Sequence, residues 1–403
     1  MASPGERLIS LGAGIPCTSV RVDAAKVVQK AVEARIKEEL ETGAQFLTYL
    51  STGEGHPEWR EEMSKFLSEE YGDPVSSDDL HLTAGATHGL HLAMTLLLEK
   101  GSPCFTEEPH YFLAAGAIKD SGILGVPVEM DDDGLSADDL EKKASAYEYT
   151  WDKTPSNKPY RGVVYMVPIF HNPTGKCYSP ERCRALVAIA RKHNLLLFSE
   201  DVYNLLYYTG NLPPKRFFFY DNKSDADYVG SVISNGSFSK YLAPGIRIGW
   251  YEAPKRAMDC FEKSALLRSG GPVNHFGSGI ITSALKLGIQ QDFIKKLRAK
   301  YAKRVSLFGQ VLEERLPSSC SFKLPKGGYF VWIQLPNGVD GIDITKKAET
   351  EFNVMVLTGS LFSQTAGFRN CIRLSISAVE DEEIVPGLTA FCDCLTKYLP
   401  QKL

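Results

Sequence analysis

The sequence predicts an α/β protein in which helices flank a large, mainly parallel sheet, with a smaller α+β domain beside it. Apolar, strand-like runs alternate with helix-like segments through the middle of the chain, the pattern of a parallel sheet covered by helices. The 403 residues exceed the usual size of one compact domain. We therefore expect an N-terminal segment joining the small domain (residues 1–45), a large domain (46–290) and a small C-terminal domain (291–403).

The composition excludes several classes of partner. The formal net charge of -4 gives no electrostatic reason to expect nucleic acid or an anionic membrane as a partner. No apolar run approaches a membrane span, and Met1 to Arg7 lacks the basic and apolar blocks of a secretory peptide. The nine cysteines include no CxxC pair, which favours reduced thiols and a cytoplasmic location.

No metal site is expected. His88 and His91 are one helical turn apart, but no third ligand is spaced to join them. Cys392 and Cys394 are closer together than metal-binding pairs normally are, so we interpret both pairs as packing residues.

The N-terminal stretch from Ser10 to Pro16 is rich in glycine, but it is not a dinucleotide fingerprint. Cys17 stands where the third glycine belongs, and no strand precedes the stretch. A helix is expected after Asp23, which can cap it. Its apolar residues repeat every four positions and predict a packed face formed by Val28, Val32, Ile36 and Leu40.

The next segments predict a place for an anion. A helix begins near Pro57, and the run from Asp79 to Thr83 is typical of a short strand. The sequence Ala84-Gly85-Ala86-Thr87 then leads into another helix. Backbone N–H groups and the positive end of the helix dipole point outward at a helix start, so a phosphate would bind here.

Further strands follow, and polar residues stand near their ends. A strand around Cys104 to Thr106 comes before Tyr111, and a polar loop is expected over residues 145–161. The strand from Gly162 to Val167 precedes Asn172-Pro173-Thr174-Gly175, which by itself indicates only a turn. A helix capped by Ser179 and running to about His193 continues the alternation.

Two adjacent carboxylates end the strand from Leu195 to Ser199. Glu200 and Asp201 precede Tyr203, and because side chains alternate along a strand, only one of the two can point to a given face. We favour Glu200, which keeps the spacing to Tyr203. If Asp201 serves instead, the strand must be bulged or shifted. Both remain candidates at this point.

Lys240 is the centre of the predicted site. It follows the apolar run from Val229 to Ile233, stands between Ser237 and Ser239 on one side and Arg247 on the other, and lies in a glycine-marked segment. Most lysines are solvated surface charges. Two hydroxyls and a guanidinium within reach make an anion site, and an amine beside a bound anion is a candidate Schiff-base nucleophile.

Arg373 is a second unusual cation. It lies in the strand-like run from Asn370 to Ser377, where an arginine is costly unless it is paired. It therefore predicts an anionic partner. That partner is either a ligand carboxylate or a carboxylate of the chain itself.

Taken in order, these motifs resemble those of the pyridoxal 5'-phosphate (PLP) aminotransferases of class I/II, the fold type I aspartate aminotransferase superfamily. The resemblance covers roughly Ile9 to Ser377. It implies PLP as cofactor and a sheet of the seven-stranded type in the large domain. It also implies a homodimer with shared active sites, because the tyrosine at the position of Tyr49 reaches the cofactor phosphate of the neighbouring subunit.

The same resemblance implies residue roles. Lys240 would carry PLP as an internal aldimine, and Tyr111 would stack on the pyridine ring. Asn172 and Tyr203 would contact the phenolic oxygen, while Glu200 or Asp201 would face the ring nitrogen. Arg373 would bind the substrate α-carboxylate, with Asn172 and Gly14 beside the substrate and Arg268 as a weaker candidate. The phosphate contacts would come from Ala86, Thr87, Ser237, Ser239, Arg247 and Tyr49 of the neighbouring subunit.

The function that the resemblance implies is amino-group transfer from an L-amino acid to a 2-oxo acid. A PLP-dependent β-lyase, cyclase or oxidase is the alternative, because one scaffold supports several fates of the same carbanion. A non-catalytic regulatory protein of this fold is a further alternative, disfavoured by the negative net charge. The sequence does not identify the donor, since no second arginine is clearly dedicated to a side-chain carboxylate.

Overall fold

A computed structural model describes residues 8–149, 156–210 and 212–400 of the chain. The predicted absence of a secretory peptide rests on Met1 to Arg7, which lies outside these residues. So does the middle of the predicted polar loop, at residues 150–155. Within the described ranges, no helix combines the length and the apolar character needed to cross a membrane.

Helices and strands alternate as the sequence predicts. The helices are α1 (Thr18–Thr42), α2 (Pro57–Tyr71), α3 (Ala86–Leu97), α4 (Phe112–Asp120), α5 (Ala137–Ala146), α6 (Pro180–His193), α7 (Lys255–Glu262), α8 (Ala265–Arg268), α9 (His275–Lys286), α10 (Ile289–Arg315), α11 (Gly341–Phe352) and α12 (Ile384–Tyr398). The strands are β1 (Ile9–Ser10), β2 (Leu80–Thr83), β3 (Pro103–Glu108), β4 (Leu124–Asp131), β5 (Gly134–Leu135), β6 (Gly162–Met166), β7 (Leu195–Glu200), β8 (Val232–Ser237), β9 (Gly249–Glu252), β10 (Ser321–Lys323), β11 (Phe330–Gln334), β12 (Val354–Met355), β13 (Leu357–Thr358) and β14 (Cys371–Ser375).

The large sheet has the order β2-β9-β8-β7-β6-β3-β4-β5 in the described part of the chain. The central neighbours β4, β3, β6, β7 and β8 pair in parallel, and β9 runs antiparallel between β8 and β2. The mainly parallel sheet is therefore confirmed. It has eight strands instead of seven, because the two-residue β5 folds back on the end of β4 in a tight hairpin.

The central strands are buried on both faces, which explains their continuous apolar character. Every residue of β6 and β7 is buried, including Glu200 at the end of β7. The carboxyl ends of β3, β6, β7 and β8 meet at one edge of the sheet, because these strands are parallel. Loops that follow these ends are therefore brought together there.

A second, four-stranded antiparallel sheet has the order β10-β11-β14-β13 and is built from the C-terminal part of the chain. The N-terminal strand β1 pairs in parallel with β12, with Ile9 opposite Val354. The first described residues thus contact the C-terminal part. The domain limits at residues 45 and 290 stay a prediction.

The N-terminal helix differs from the prediction in its start and in its packed face. Helix α1 begins at Thr18, before Asp23, and Glu380 of the C-terminal part accepts hydrogen bonds from Ser19 N (2.9 Å) and Ser19 Oγ (2.6 Å). The predicted apolar face is wrong for the single chain: Ile36 is exposed, and Leu40 is 84% exposed. The buried face instead contains Val20, Ala24, Ala31, Arg35 and Glu39.

A buried ion pair explains this difference. Arg35 is 1% exposed; its Nη1 donates to Glu39 Oε1 at 3.0 Å and its Nε to Ser283 Oγ of α9 at 3.0 Å. Glu39 also accepts from the backbone N–H of Phe46 at 2.9 Å. A hydrophobicity pattern treats these two charged positions as surface, although they connect α1 to α9.

We expect Arg35→Ala to lower the free energy of unfolding by about 3–5 kcal/mol, because it leaves Glu39 buried and unpaired. Urea unfolding followed by circular dichroism measures the change. Lys26→Ala breaks a pair exposed at 69% and 62% and should cost less than about 1 kcal/mol. A loss for Arg35→Ala as small as that control would contradict the role given to this ion pair.

Candidate active site

A cavity of about 300 Å³ lies at the carboxyl ends of the parallel strands. Residues from α3, α4 and the ends of β6, β7 and β8 line it. Ten of the residues predicted from the sequence are among them: Ala86, Thr87, Tyr111, Asn172, Glu200, Tyr203, Ser237, Ser239, Lys240 and Arg247.

Lys240 lies three residues after the end of β8. Its Nζ donates a hydrogen bond to the carbonyl oxygen of Gly14 at 2.8 Å, so the N-terminal segment contacts the amine directly. Burial of the amine, together with the nearby cations Arg373 and Arg247, lowers the pKa of Lys240 to about 8, although Glu200 opposes this shift. The amine is therefore closer to its neutral, nucleophilic form at neutral pH than an ordinary lysine is.

One end of the cavity is suited to a phosphate. Helix α3 begins after Gly85, whose φ of 88° favours glycine, and no side chain caps the helix start. Arg247 extends past this turn, and its Nη1 donates to Ser239 Oγ at 3.3 Å. A Cβ on Gly85 would lie 2.6 Å from Arg247 Nη2, so a larger residue there would have to displace the guanidinium. Ser237 Oγ completes the group with a 2.9 Å hydrogen bond to Ser239 Oγ.

The structure separates the two carboxylates that end β7. Glu200 lines the cavity, where Oε1 accepts from Asn235 Nδ2 at 3.1 Å and Oε2 from the hydroxyl of Tyr165 at 3.4 Å. Asp201 is not part of the cavity lining, and its Oδ1 accepts from Ser199 Oγ at 2.7 Å. Burial raises the pKa of Glu200 to about 8 and also raises that of Asp201.

Arg373 lies on β14 and is 3% exposed. Its Nη1 donates to Asn172 Oδ1 at 2.8 Å and its Nη2 to the carbonyl oxygen of Gly12 at 2.6 Å, while Nε has no partner among the described residues. The guanidinium carbon lies 4.1 Å from the ring centroid of Phe330 and 4.8 Å from that of Phe362.

No described carboxylate lies within ion-pairing distance of Arg373, so the alternative of an internal salt bridge finds no support in these residues. Burial lowers its pKa to about 10. A buried guanidinium with an unused donor is suited to an anionic ligand.

The predicted aromatic residues Tyr111 and Tyr203 line the same cavity as Asn172. Tyr111 precedes α4, and Tyr203 is buried with its ring centroid 5.5 Å from that of Tyr329. Burial raises the pKa of both phenols, first of all through desolvation, so they are hydrogen-bond donors at neutral pH. Asn172 itself is buried and begins a cis peptide with Pro173.

A buried polar network behind the Asn172 loop was not anticipated from the sequence. Glu107 on β3 accepts from the backbone N–H of Val167 at 3.1 Å and contacts His171 Nε2 at 3.2 Å. The other ring nitrogen of His171 lies 2.8 Å from Thr174 Oγ1. The network fixes both ends of the turn that carries Asn172. The only signal in the sequence was Glu107 within an apolar strand.

Five predicted residues are not part of the cavity lining of their own chain: Gly14, Tyr49, Asp201, Arg268 and Arg373. Arg373 contacts the lining residue Asn172. Tyr49 is 86% exposed and lies against Gly270, and Arg268 is exposed on the short helix α8. Gly14 reaches the site through its carbonyl oxygen. The roles of individual site residues remain predictions.

An activated lysine, a phosphate-sized cradle and a carboxylate on separate parts of one cavity define an enzyme of the PLP-dependent class. Residues 6–391 match the family model for aminotransferases of class I and II. The chain belongs to that family. The predicted family, fold, PLP cofactor and transaminase activity are confirmed.

Individual relatives agree with this assignment. An uncharacterized protein of Saccharomyces cerevisiae is 31% identical, with 86% of each chain covered. Aromatic-amino-acid aminotransferase 1 of Thermococcus litoralis is 29% identical over 89% of this chain and 82% of its own length. The crystal structure of Pyrococcus horikoshii kynurenine aminotransferase, in complex with PMP, has a TM-score of 0.81 at 27% identity and covers 98% of this chain and 93% of its own.

The residues present fit PLP. The uncapped start of α3, the Gly85 turn and Arg247 suit its phosphate. Glu200 suits a protonated ring nitrogen, because that cation would be a positive partner for a buried carboxylate that has no other among the described residues. Lys240 provides the amine.

We expect Glu200 to make the stability of the PLP-free protein depend on pH. Its pKa rises from an ordinary 4.5 to about 8 on folding, so between these values the folded protein binds more protons than the unfolded chain. This contribution is complete below pH 4.5 and is lost as the pH rises through 8. Melting temperatures of wild type and Glu200→Gln should therefore agree best near pH 5. By pH 9 the melting temperature of the wild type should be lower than that of the variant.

Glu41→Gln, at an exposed position of α1, is the control and should follow the wild type at every pH. Parallel curves for wild type and Glu200→Gln would show that Glu200 does not titrate in this range.

Proposed function

We propose that the chain transfers the amino group of an L-amino acid with an aromatic or other uncharged side chain to a 2-oxo acid. It would act as a homodimer in the cytoplasm. The observation that carries the proposal is Arg373, a buried guanidinium whose terminal nitrogens contact only an amide and a carbonyl oxygen. A substrate α-carboxylate supplies the anion that this group lacks.

The surroundings of the site favour an apolar substrate side chain. Leu90, Leu113 and Ala117 line the cavity, and Phe330 and Phe362 lie on the Arg373 guanidinium. The described lining contains two cations, Lys240 and Arg247, and both are already assigned to the cofactor. Neither is therefore left to bind a carboxylate in the substrate side chain. The names of the relatives from Thermococcus litoralis and Pyrococcus horikoshii, an aromatic-amino-acid and a kynurenine aminotransferase, support the same class.

The proposed mechanism assigns separate tasks to the chain's own groups. Bound PLP supplies an aldehyde that engages amines and a ring that takes up electrons from the substrate Cα. Arg373, positioned by Asn172, orients the carboxylate. Lys240 Nζ would hold the cofactor. Once released, it would accept the proton from the substrate Cα and deliver it to the former aldehyde carbon of the cofactor, not back to Cα, a task that a pKa of about 8 allows near neutral pH. Glu200 provides the negative charge that a protonated ring nitrogen requires.

Exposed apolar residues around Tyr49 support the homodimer. Leu40, Leu47 and Leu266 are exposed by 84%, 59% and 60%, and the backbone N–H of Leu50 donates to Gly270 O, which links the Tyr49 turn to the segment after α8. Exposed apolar residues of this kind often form protein–protein interfaces. In a dimer, Tyr49 would reach the phosphate end of the partner's cavity. The nine cysteines, none in a disulfide, support a reducing compartment such as the cytoplasm.

A donor panel tests the reaction. Purified protein is incubated with PLP, one L-amino acid and a 2-oxo acid, and the new amino acid is quantified. Aromatic donors should react fastest, Lys240→Ala should be inactive, and borohydride reduction should attach the cofactor to Lys240. Ammonia or peroxide without a new amino acid would indicate a β-lyase or oxidase instead. A clear preference for acidic donors would contradict the proposed side-chain class.

We expect Arg373→Lys to raise the KM for donor and acceptor by roughly 10- to 100-fold, because an ammonium cannot form the two-pronged contact with a carboxylate. PLP binding should change little. Arg369→Lys, at an exposed arginine in the segment that leads into β14, is the matched control and should leave KM unchanged. Equal KM values for wild type and Arg373→Lys would show that Arg373 does not bind the substrate carboxylate.

Mixing two inactive variants tests the shared site. Tyr49→Ala and Lys240→Ala would each be impaired in every site of their own dimers. If Tyr49 serves the neighbouring subunit, hybrids formed by co-refolding contain one intact site, and about one quarter of the wild-type sites should recover. If Tyr49 served its own chain, every hybrid site would keep a lesion and no activity would return.

A further inference from the structure

Asn235 is a buried polar residue that lies behind the cavity without lining it. It is on β8, two residues before Ser237, and is 0% exposed. In the register of the sheet it stands directly opposite Glu200 of β7. An amide in the middle of a buried parallel strand is costly unless its hydrogens find acceptors.

The amide nitrogen has two acceptors, on two different elements that line the cavity. Asn235 Nδ2 donates to Glu200 Oε1 at 3.1 Å and to the carbonyl oxygen of Ala86 at 3.0 Å. Ala86 is the first residue of α3, whose start forms the phosphate end. A single side chain thus connects the carboxylate at the end of β7 to the start of α3.

The neighbouring helix approaches this amide closely at Gly89. A Cβ on Gly89 of α3 would lie 2.4 Å from Asn235 Oδ1 and 3.0 Å from the ring of Tyr251. Asn235 Oδ1 itself has no partner among the described residues. The oxygen therefore makes no stabilising hydrogen bond here, and the contribution of the amide comes from its two N–H donors.

Glu200 has one more rotatable bond than an aspartate would have, so its carboxylate needs more contacts to remain in one place. Asn235 and Tyr165 hold one oxygen each. We propose that Asn235 is a positioning residue, which fixes the Glu200 carboxylate relative to the start of α3 and so sets the spacing between the two ends of the PLP site. This inference rests on the proposed function.

The primary test is the affinity of Asn235→Ala for PLP, obtained by titrating the cofactor-free protein and following the absorbance of the bound form. The dissociation constant should rise about 10- to 100-fold, the range for loss of a hydrogen bond to a charged group. With PLP saturating, kcat should fall while the KM for the amino donor stays within about two-fold, because Arg373 is untouched.

A double-mutant cycle separates positioning from general damage. If Asn235 acts through the charge of Glu200, Asn235→Ala should cost less than about three-fold in PLP affinity when Glu200→Gln is already present. An equal loss in both backgrounds would overturn the proposal, because the amide would then act independently of Glu200. Unchanged PLP affinity in folded Asn235→Ala would overturn it as well.

Gly89→Ala disturbs the same contact without altering Asn235. Ala for Gly ordinarily stabilises a helix, yet here the added methyl group would displace the amide and should weaken PLP binding as Asn235→Ala does. Gly116→Ala on α4 is the matched control, since its Cβ would meet nothing within 4 Å. Wild-type affinity in Gly89→Ala would contradict the proposal. If the wild type itself bound no PLP, the proposed function would fail, and not this inference alone.

Discussion

The site depends on an excess of positive charge that the chain does not neutralise by itself. Lys240 and Arg247 line one cavity, Arg373 contacts its lining residue Asn172, and no described carboxylate lies within ion-pairing distance of any of the three. Each cation instead contacts carbonyl, amide or hydroxyl oxygens, which orient it without cancelling its charge. The sheet edge, the Asn172 turn and the N-terminal segment all serve to hold these groups close together. A phosphate and a carboxylate are the ligands that this arrangement favours.

Much of this could be predicted, because the motif residues follow strand ends and parallel strands end at one edge. Lys240, Asn172 and the start of α3 line one cavity, as expected. The sequence by itself marked Asn172 only as part of a turn, and the resemblance to the aminotransferases implied its place in the site. The roles of these residues stay predictions. Alternation along the strand indicated that only one of Glu200 and Asp201 faces the site, and the spacing to Tyr203 favoured Glu200, which is the one that lines the cavity. Such features are local, and the sequence displays them directly.

Contacts between distant segments could not be predicted. Asn235 against Ala86, Glu107 against His171 and the carbonyl of Gly12 against Arg373 join elements whose proximity only the folded chain establishes. The incorrect prediction of the packed face of α1 has a related cause. Periodicity locates an apolar stripe, but it does not say whether the stripe meets the same chain or a second one, and the buried Arg35 and Glu39 have the polarity of surface residues.

The pairing of β1 with β12 has a consequence for how the protein is made. Ile9 leaves the ribosome long before Val354 and the strand that carries Arg373. Strand β1 must therefore wait, unpaired, until β12 has been synthesised. A nascent chain could complete the parallel sheet and present Lys240 well before it contains β12, the partner of β1, and Arg373. Premature termination would thus yield a sheet without a substrate site.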